Sequence, residues 1–578
     1  MNKAFDVAIV GSGFAGSLLA LVARRAGRSV VLLEKGAHPR FAVGESTSPL
    51  ANLLLEEIAA RWDLPRLLPL CAWGTWRRAY PEVACGLKRG FSFFHHRAGR
   101  PFGNAKDRSD QLLVAASPCD ELADTHWYRE EFDEFLLQEA EAAGVHYVDH
   151  VALGDAQRRH GGWEIFFERE EKTPLTIRAS FLFDASGREG ALTAALGVGD
   201  APPAGLPSKK SLFTHFSGVH RLEEMPDFES FESPPYPVDD AAVHHVFPGG
   251  WIWVLRFSNG ITSAGVAAED PLARELRLSE GEPAWDRLCR RFPSVAAQFG
   301  DARPVRPFVY APRLGFRRSR AAGDAWALLP SAAAFADPLL STGFPLALLG
   351  IQRLGLALAE DWGTPRFRER VAAIGETTLA EADAAARLVG ALYAAFDDFP
   401  LFVALSKLYF AAASFSEAAR RLGKRQIAGS FLLSKNPSYG PALLRIGAAA
   451  REPLTPASRA RLLDEIARTI EPFDVAGLLN ASRRNWHAVD ADDLRTSAPK
   501  LGATPGEIDR LLAASGFPVS ASSSPSSSAP ASARAPAPRG RRTAAERGRR
   551  SRAGGLRRTR RGRRRATRRA PGGRRGSR

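Results

Sequence analysis

At 578 residues, with 45% hydrophobic and 25% charged side chains, the chain exceeds what one hydrophobic core supports, so two or three structural units are expected. Its formal charge of +16 points first to an anionic polymer, yet residues 531–578 hold twenty Arg and one acid, Glu546, which leaves −3 for residues 1–530. A basic, nucleic-acid-binding body is thereby excluded. Residues 6–10 (Asp-Val-Ala-Ile-Val) form a continuous apolar run, as a strand of a parallel sheet buried on both faces requires. Because the run enters a glycine loop directly, it reads as a strand and not as a signal peptide.

The loop is Gly11-Ser-Gly13-Phe14-Ala15-Gly16. Gly11 permits the tight turn, Gly13 lets the backbone approach a pyrophosphate, and Gly16 lets the following helix pack closely on the strand. That helix (Leu18, Leu19, Val22) ends near Gly27, and its N-terminal amides suit an anion. A second strand, residues 29–33, leads to Glu34, 23 positions after Gly11, where a carboxylate accepts hydrogen bonds from a ribose diol. Phe14, Ala15 and the adjoining Lys35 complete the expected nucleotide contacts. Ser48 is a candidate N-cap, with Pro49 at the first position of a helix over residues 50–61.

Three stretches, residues 90–95, 212–219 and 251–266, suggest an antiparallel sheet walling an apolar, aromatic-lined pocket. Asn259-Gly260 marks a hairpin whose first strand alternates Trp251, Trp253, Leu255 and Phe257 on one face with Ile252, Val254 and Arg256 on the other. Trp251, Trp253 and Phe93 are therefore candidate pocket residues. The pairs His95-His96 and His244-His245 point to opposite faces of a strand, so neither chelates one ion and no metal is expected. Phe181-Leu-Phe-Asp184-Ala-Ser-Gly187 is a buried strand ending in a small-residue turn. Residues 325–329 form another strand, followed by Asp337-Pro-Leu-Leu-Ser341-Thr342-Gly343 and an apolar helix interrupted by Gln352 and Arg353, too short an apolar run to span a membrane. Residues 367–395, 401–422 and 458–469 carry helical periodicity. After the last aromatic, Phe517, the chain becomes Ser/Pro-rich and then Arg-rich, a composition that predicts disorder and lacks the aromatics of a base-stacking arm. Four cysteines without metal spacing (Cys71, Cys85, Cys119, Cys289) suggest a reducing, cytoplasmic setting.

Over residues 5–360 the chain resembles the flavin-dependent halogenase branch of the FAD-dependent monooxygenase superfamily. The resemblance rests on Gly11, Gly13, Gly16, Glu34, the loop Gly44-Glu45-Ser46-Thr47, Arg129 ahead of Phe132-Asp133, Asp184 to Gly187, and Asp337 to Gly343. It implies bound FAD contacted by Glu45, Ser46, Arg129, Asp184, Gly187, Asp337, Thr342 and Gly343. In a halogenase, halide would lie at Ser341, Thr342 and Gly343. Trp251 and Trp253 match the WxWxIP motif of the family, but Leu255 and Arg256 stand where it has Ile and Pro. Pro330-Ser331 likewise replaces the Gly-Asp that precedes the Asp-Pro turn. Lys88, in Lys-Arg-Gly-Phe-Ser-Phe93, resembles the catalytic lysine segment KxGxxF, whose amine meets hypohalous acid; burial must lower its pKa for it to act as a nucleophile.

The expected fold is α/β. A Rossmann-type FAD-binding domain spans residues 1–365, interrupted by an antiparallel substrate sheet at about 81–119 and 205–319. A helical region follows over 366–518, then a disordered tail over 519–578. The expected function is an FAD-dependent oxidoreductase, halogenase-like, using reduced flavin and oxygen on an aromatic or acyl substrate that is free or bound to a carrier protein. No second glycine fingerprint is present, so reduced flavin would come from NAD(P)H or a separate flavin reductase. A non-halogenating FAD monooxygenase or a geranylgeranyl reductase-like enzyme is the alternative. In a third reading, of another class, the Arg-rich tail tethers the protein to nucleic acid or membrane.

Overall fold

The computed structural model describes residues 4–159, 161–169, 174–230 and 232–517. The tail expected over 519–578 lies outside them. The buried strand Ala4–Val10 is the axis of the first sheet. It pairs in parallel with Pro174–Asp184 on one side and Val30–Leu33 on the other, and Trp326–Leu328 and His146–Val148 extend the parallel run. Three of these strands are contributed by segments more than a hundred residues from the first, because long insertions leave and re-enter the sheet. The helix Phe14–Arg25 packs on it with residues Phe14 to Ala23 all buried. Ser48 caps the helix Pro49–Arg61 through Ala51 N, with Pro49 in its first turn.

The second sheet has nine strands and is mostly antiparallel. Gly250–Arg256 and Thr262–Glu269 form the expected hairpin around Gly260, whose φ of +80° requires glycine. Alternation sorts the strand Gly250–Arg256 cleanly. Trp251, Trp253 and Leu255 join the main core, while Ile252 and Val254 join a second core behind the sheet. One strand comes from a segment read as helical: Trp486–His487 adds in parallel to the edge strand Gln111–Ala115.

The helix Phe399–Arg421 packs on the front face of this sheet, where Phe402 and Phe410 pack edge-on against Phe93 and Phe410 against Phe91, and Tyr393 near the end of the helix Pro365–Ala394 accepts from Trp251. The run after Asp337 is longer than expected. By length and composition Leu339–Glu360 and Phe399–Arg421 could each cross a membrane; 67% and 72% of their apolar windows are buried inside the fold, which makes them core helices here. The four cysteines are free thiols.

Candidate functional site

The glycines of the first loop occupy the positions their conformations demand. Gly11 has φ +102°, and a Cβ there would lie 2.6 Å from Ala185 O. A Cβ on Gly16 would lie 1.9 Å from Gly11 O, so the helix Phe14–Arg25 can approach only without a side chain. Gly13 differs, because nothing but side-chain ends surround its missing Cβ: Arg40 Nη2 at 3.3 Å, Arg129 Nη2 at 3.7 Å and Asp133 Oδ2 at 3.7 Å. The helix it caps has neither a side-chain cap nor an acid in its first turn. Open amides, a positive helix end and two guanidinium groups therefore converge on the space a pyrophosphate needs. Arg40 Nε is buried there without a partner.

Arg129 is held rigidly, by paired bonds to Asp133 (2.7 and 2.8 Å) and by donation to the Val43 and Gly44 carbonyls. Glu34 accepts from Ser12 N and Ser12 Oγ, both at 3.0 Å. Burial raises its pKa, but Arg40 and the Ser12 and Gly36 amides outweigh that and hold the carboxyl below its ordinary value, ionised for a diol. These residues fit an FAD nucleotide.

Three further residues expected at the cofactor have local roles in the fold. Asp184 is fully buried and spends its oxygens on Ser186 N, Ser186 Oγ and Leu192 N, so it shapes the turn that presses Ala185 on Gly11. Gly187 supplies that turn's positive φ, +68°. Lys35 is exposed and ion-paired with Glu189.

A cavity of about 390 Å³ continues from this cradle. Phe14, Glu45, Ser46 and Arg129 line one side, Trp251 and Trp253 another, and Asp337 with Ser341, Thr342 and Gly343 a third. Segments some 290 residues apart in sequence thus meet around one space. In the last of these, Leu340 and Ser341 adopt left-handed φ of +64° and +53° just before the helix Gly343–Glu360. Asp337 fixes that turn. Its Oδ1 accepts from Leu339 N at 2.9 Å, and its Oδ2 takes Lys209 Nζ at 2.5 Å and the Tyr393 hydroxyl at 2.9 Å. Tyr393 in turn receives Trp251 Nε1 at 3.1 Å. Glu45 Oε1 lies 2.8 Å from His215 Nε2, both side chains buried. Lys209, His215, Tyr393 and Arg40 carry no motif, and nothing in the sequence singles them out.

Arg256, at the motif's Pro position, points behind the sheet. Its Nε bonds Asp239 at 2.9 Å and its Nη1 bonds Val219 O. The motif therefore departs on the face away from the cavity, and both Trp remain in the wall.

Lys88 is fully buried. Its Nζ donates to Ser46 Oγ at 2.9 Å, to Thr47 O and to Ser341 Oγ at 3.4 Å, and it sits 3.7 Å above the Phe91 ring. Ser46 and Ser341 belong to the first cavity. Phe91 lines a second one, of about 570 Å³, whose lining shares no residue with the first. Lys88 thus stands in the wall between the two. Burial lowers its pKa to about 7, against the pull of Asp124, its register partner across the strand pair Cys85–Lys88 and Asp124–Trp127. Asp124 lines the second cavity, and burial pushes its carboxyl up to about 8, with Lys88 opposing.

The sequence suggested one pocket; the helix Phe399–Arg421 and the segment beyond Val475 enclose a second, contributing Tyr409, Phe410, Glu417 and His487. Phe93 lines neither cavity. It is stacked on His244 at 4.3 Å beneath the helices, and Phe91, two residues earlier on the same face, takes the lining position. The histidine pairs separate by face as expected, but one member of each meets the other: His96 Nε2 lies 2.8 Å from His245 Nδ1. No metal-ligand cluster occurs among the described residues.

Comparison with known proteins gives the family and the fold. Residues 6–321 match the family described as FAD dependent oxidoreductase. The chain is 29% identical over 424 residues to tetracycline 7-halogenase of Kitasatospora aureofaciens, covering 71% of this chain and 74% of that protein. It is 28% identical over 415 residues to monodechloroaminopyrrolnitrin halogenase PrnC of Pseudomonas fluorescens, covering 70% of each. The crystal structure of halogenase PltM with phloroglucinol and FAD superposes with a TM-score of 0.71 at 24% identity, over 83% of this chain and 99% of that one.

Proposed function

The chain belongs to the FAD dependent oxidoreductase family, and from that premise we propose that it is a halogenase of an electron-rich aromatic substrate, with Lys88 as its catalytic amine. Bound in reduced form, FAD supplies with oxygen the two-electron oxidation of halide to hypohalous acid. The cradle at Gly11–Gly16, Glu34 and Arg129 would hold its nucleotide, and the first cavity its ring system. The turn Ser341–Gly343, ahead of a helix N-terminus, is where halide would sit.

One observation carries the reading: the Lys88 amine touches Ser46 and Ser341, which line the first cavity, and packs on the ring of Phe91, which lines the second. An oxidant made on one side meets this amine before it meets a substrate on the other. With its pKa about 7 the amine has a substantial neutral fraction at working pH, so its lone pair can take X⁺ from HOX, the displaced N–H proton leaving with hydroxide as water, and pass X⁺ to a ring carbon whose proton returns to the nitrogen. The two halogenases of similar sequence support the same assignment. Arg256 does not oppose it, since that side chain is on the back of the sheet. A monooxygenase would need neither halide nor this lysine. The reductant for flavin is assigned to NAD(P)H or a separate flavin reductase, and the setting, from four free thiols, to the cytoplasm.

The test is turnover of the FAD-loaded enzyme with a flavin reductase, oxygen and chloride or bromide on a panel of phenols and indoles. Lys88→Met should lower halogenated product by at least about 100-fold while FAD binding and oxygen uptake persist. Full wild-type turnover without halide, giving oxygenated product, would defeat the assignment.

A further inference from the structure

The turn ahead of the helix Gly343–Glu360 is tied to the substrate sheet by a chain of hydrogen bonds. Trp251 Nε1 donates to the Tyr393 hydroxyl at 3.1 Å, and that hydroxyl donates to Asp337 Oδ2 at 2.9 Å. Asp337 Oδ1 in turn accepts from Leu339 N at 2.9 Å. Trp251 belongs to the strand Gly250–Arg256 and Tyr393 to the helix Pro365–Ala394. Trp251, Tyr393 and Asp337 are 1%, 3% and 0% exposed, so bulk water does not make good a lost bond.

The direction of the chain is fixed. An indole N–H can only donate, so the Tyr393 oxygen accepts from Trp251 and turns its own proton to Asp337. Burial and the Asp337 charge push this hydroxyl well above its ordinary pKa, which keeps it a donor at any working pH. Lys209 Nζ holds the other side, bonding Asp337 Oδ2 at 2.5 Å and Ala336 O at 2.9 Å. Hydrogen bonds that run head to tail into a carboxylate polarise and strengthen one another.

The chain ends where the backbone needs holding. The left-handed φ of Leu340 and Ser341 is uncommon for residues that carry a Cβ, and such a turn persists only where its surroundings over-determine it. Asp337 bonds the amide of Leu339, the residue just before them. What the turn presents is an open helix end: the helix Gly343–Glu360 has neither a side-chain cap nor an acid in its first turn, and Ser341, Thr342 and Gly343 all line the first cavity. Trp253 takes no part, because its Nε1 donates to Ser263 Oγ at 3.3 Å, within the sheet.

We propose that Tyr393 is a positioning residue for halide, relaying the hold of Trp251 on Asp337 to the turn Ser341–Gly343, so that Trp251 sets halide affinity through this chain and not through its bulk alone. That the turn receives halide rests on the halogenase reading above; the chain of bonds does not.

The experiment titrates bromide into the FAD-loaded enzyme, flavin oxidised, following flavin absorbance, with FAD affinity measured alongside. Tyr393→Phe keeps the ring and loses both bonds; it should raise the dissociation constant of bromide at least about fivefold and that of FAD less than about twofold. Trp251→Phe should weaken bromide in the same way, to a smaller extent. Because both act through one chain, the double variant should be no worse than Tyr393→Phe, whereas the effect of Trp253→Phe should add to it independently. In turnover the loss should appear in KM for bromide and not in kcat.

Equal weakening of FAD and bromide would reduce Tyr393 to a part of the general fold, and simple additivity of Trp251→Phe with Tyr393→Phe would break the relay; either overturns the proposal, as does a wild type that binds no bromide. Should Tyr393→Phe fail to fold, unchanged bromide affinity in Trp251→Phe overturns it alone. Coupled bromide affinities in an enzyme that yields no halogenated product would uphold the relay and defeat the assigned reaction. Halogenated product with a bromide affinity indifferent to Tyr393→Phe would do the reverse.

Discussion

Asp124→Asn should shift the pH dependence of halogenation toward acid. Two opposed effects set the Lys88 amine: burial lowers its pKa, and the Asp124 charge raises it. Near neutral pH the pair holds one proton, either as ammonium and carboxylate or as amine and carboxylic acid. At pH 7.5 an ordinary lysine is free base in about one molecule in a thousand, whereas at a pKa of about 7 roughly three in four are. The gain in reactive amine is close to three orders of magnitude. Since the neutral amine is the active form and its pKa is depressed, activity is present above about pH 7 and is lost as pH falls through it.

Removing the carboxylate leaves burial unopposed, so the rising limb of kcat should move to lower pH. Lys88→Arg, always charged, should lose most of that factor at every pH. The assay is kcat for product formation between pH 5.5 and 9.5, with flavin reduction and halide in excess. An alkaline shift or no shift in Asp124→Asn, or wild-type turnover in Lys88→Arg, would refute the reasoning.

Gly13→Val should lower FAD affinity by at least about 100-fold with little change in the melting temperature of the FAD-free protein, because only the side-chain ends of Arg40, Arg129 and Asp133, none nearer than 3.3 Å, lie near its Cβ; equilibrium titration with FAD checks this. Gly16→Ala should instead cost about 3 kcal/mol or more of stability in urea unfolding, since its Cβ meets a backbone oxygen that cannot swing aside. Lys209→Met strands the buried Asp337 carboxylate and should cost about 3–5 kcal/mol, much of it recovered in the double variant with Asp337→Asn, as read by calorimetric melting.

Much of the nucleotide half was legible because its chemistry is local. A strand, three glycines, a helix and an acid follow one another within thirty-odd residues, and Gly11 and Gly16 have the close backbone approaches their spacing implies. The Trp251–Trp253 strand was equally plain, since period-two alternation directly encodes which face is buried. Lys88 was found through its segment, but its position between two cavities was not, because that depends on Ser46, Ser341 and Phe91 meeting from three separate stretches.

The second cavity was invisible for a related reason. His487 sits in a two-residue strand, too short for any periodicity, that joins the sheet only through long-range pairing with Val114. Asp184 and Phe93 show the converse. A residue can occupy a strong motif position and still serve the local turn or the core, because where its side chain ends is settled by packing.

His487, Val114, Phe91 and Ala242 stand side by side in register across four strands of one sheet. The first three floor the second cavity and the last lines the first. Strand spacing is among the least adjustable lengths in a protein, close to 4.8 Å wherever a ladder forms. A sheet laid beneath both chambers therefore acts as a ruler whose divisions selection cannot stretch. A different reach between oxidant and acceptor would have to come from longer or shorter side chains on those rungs, or from adding or removing a whole strand. Change along this lineage should thus proceed in steps: many side-chain exchanges at constant separation, and rare jumps of one strand width.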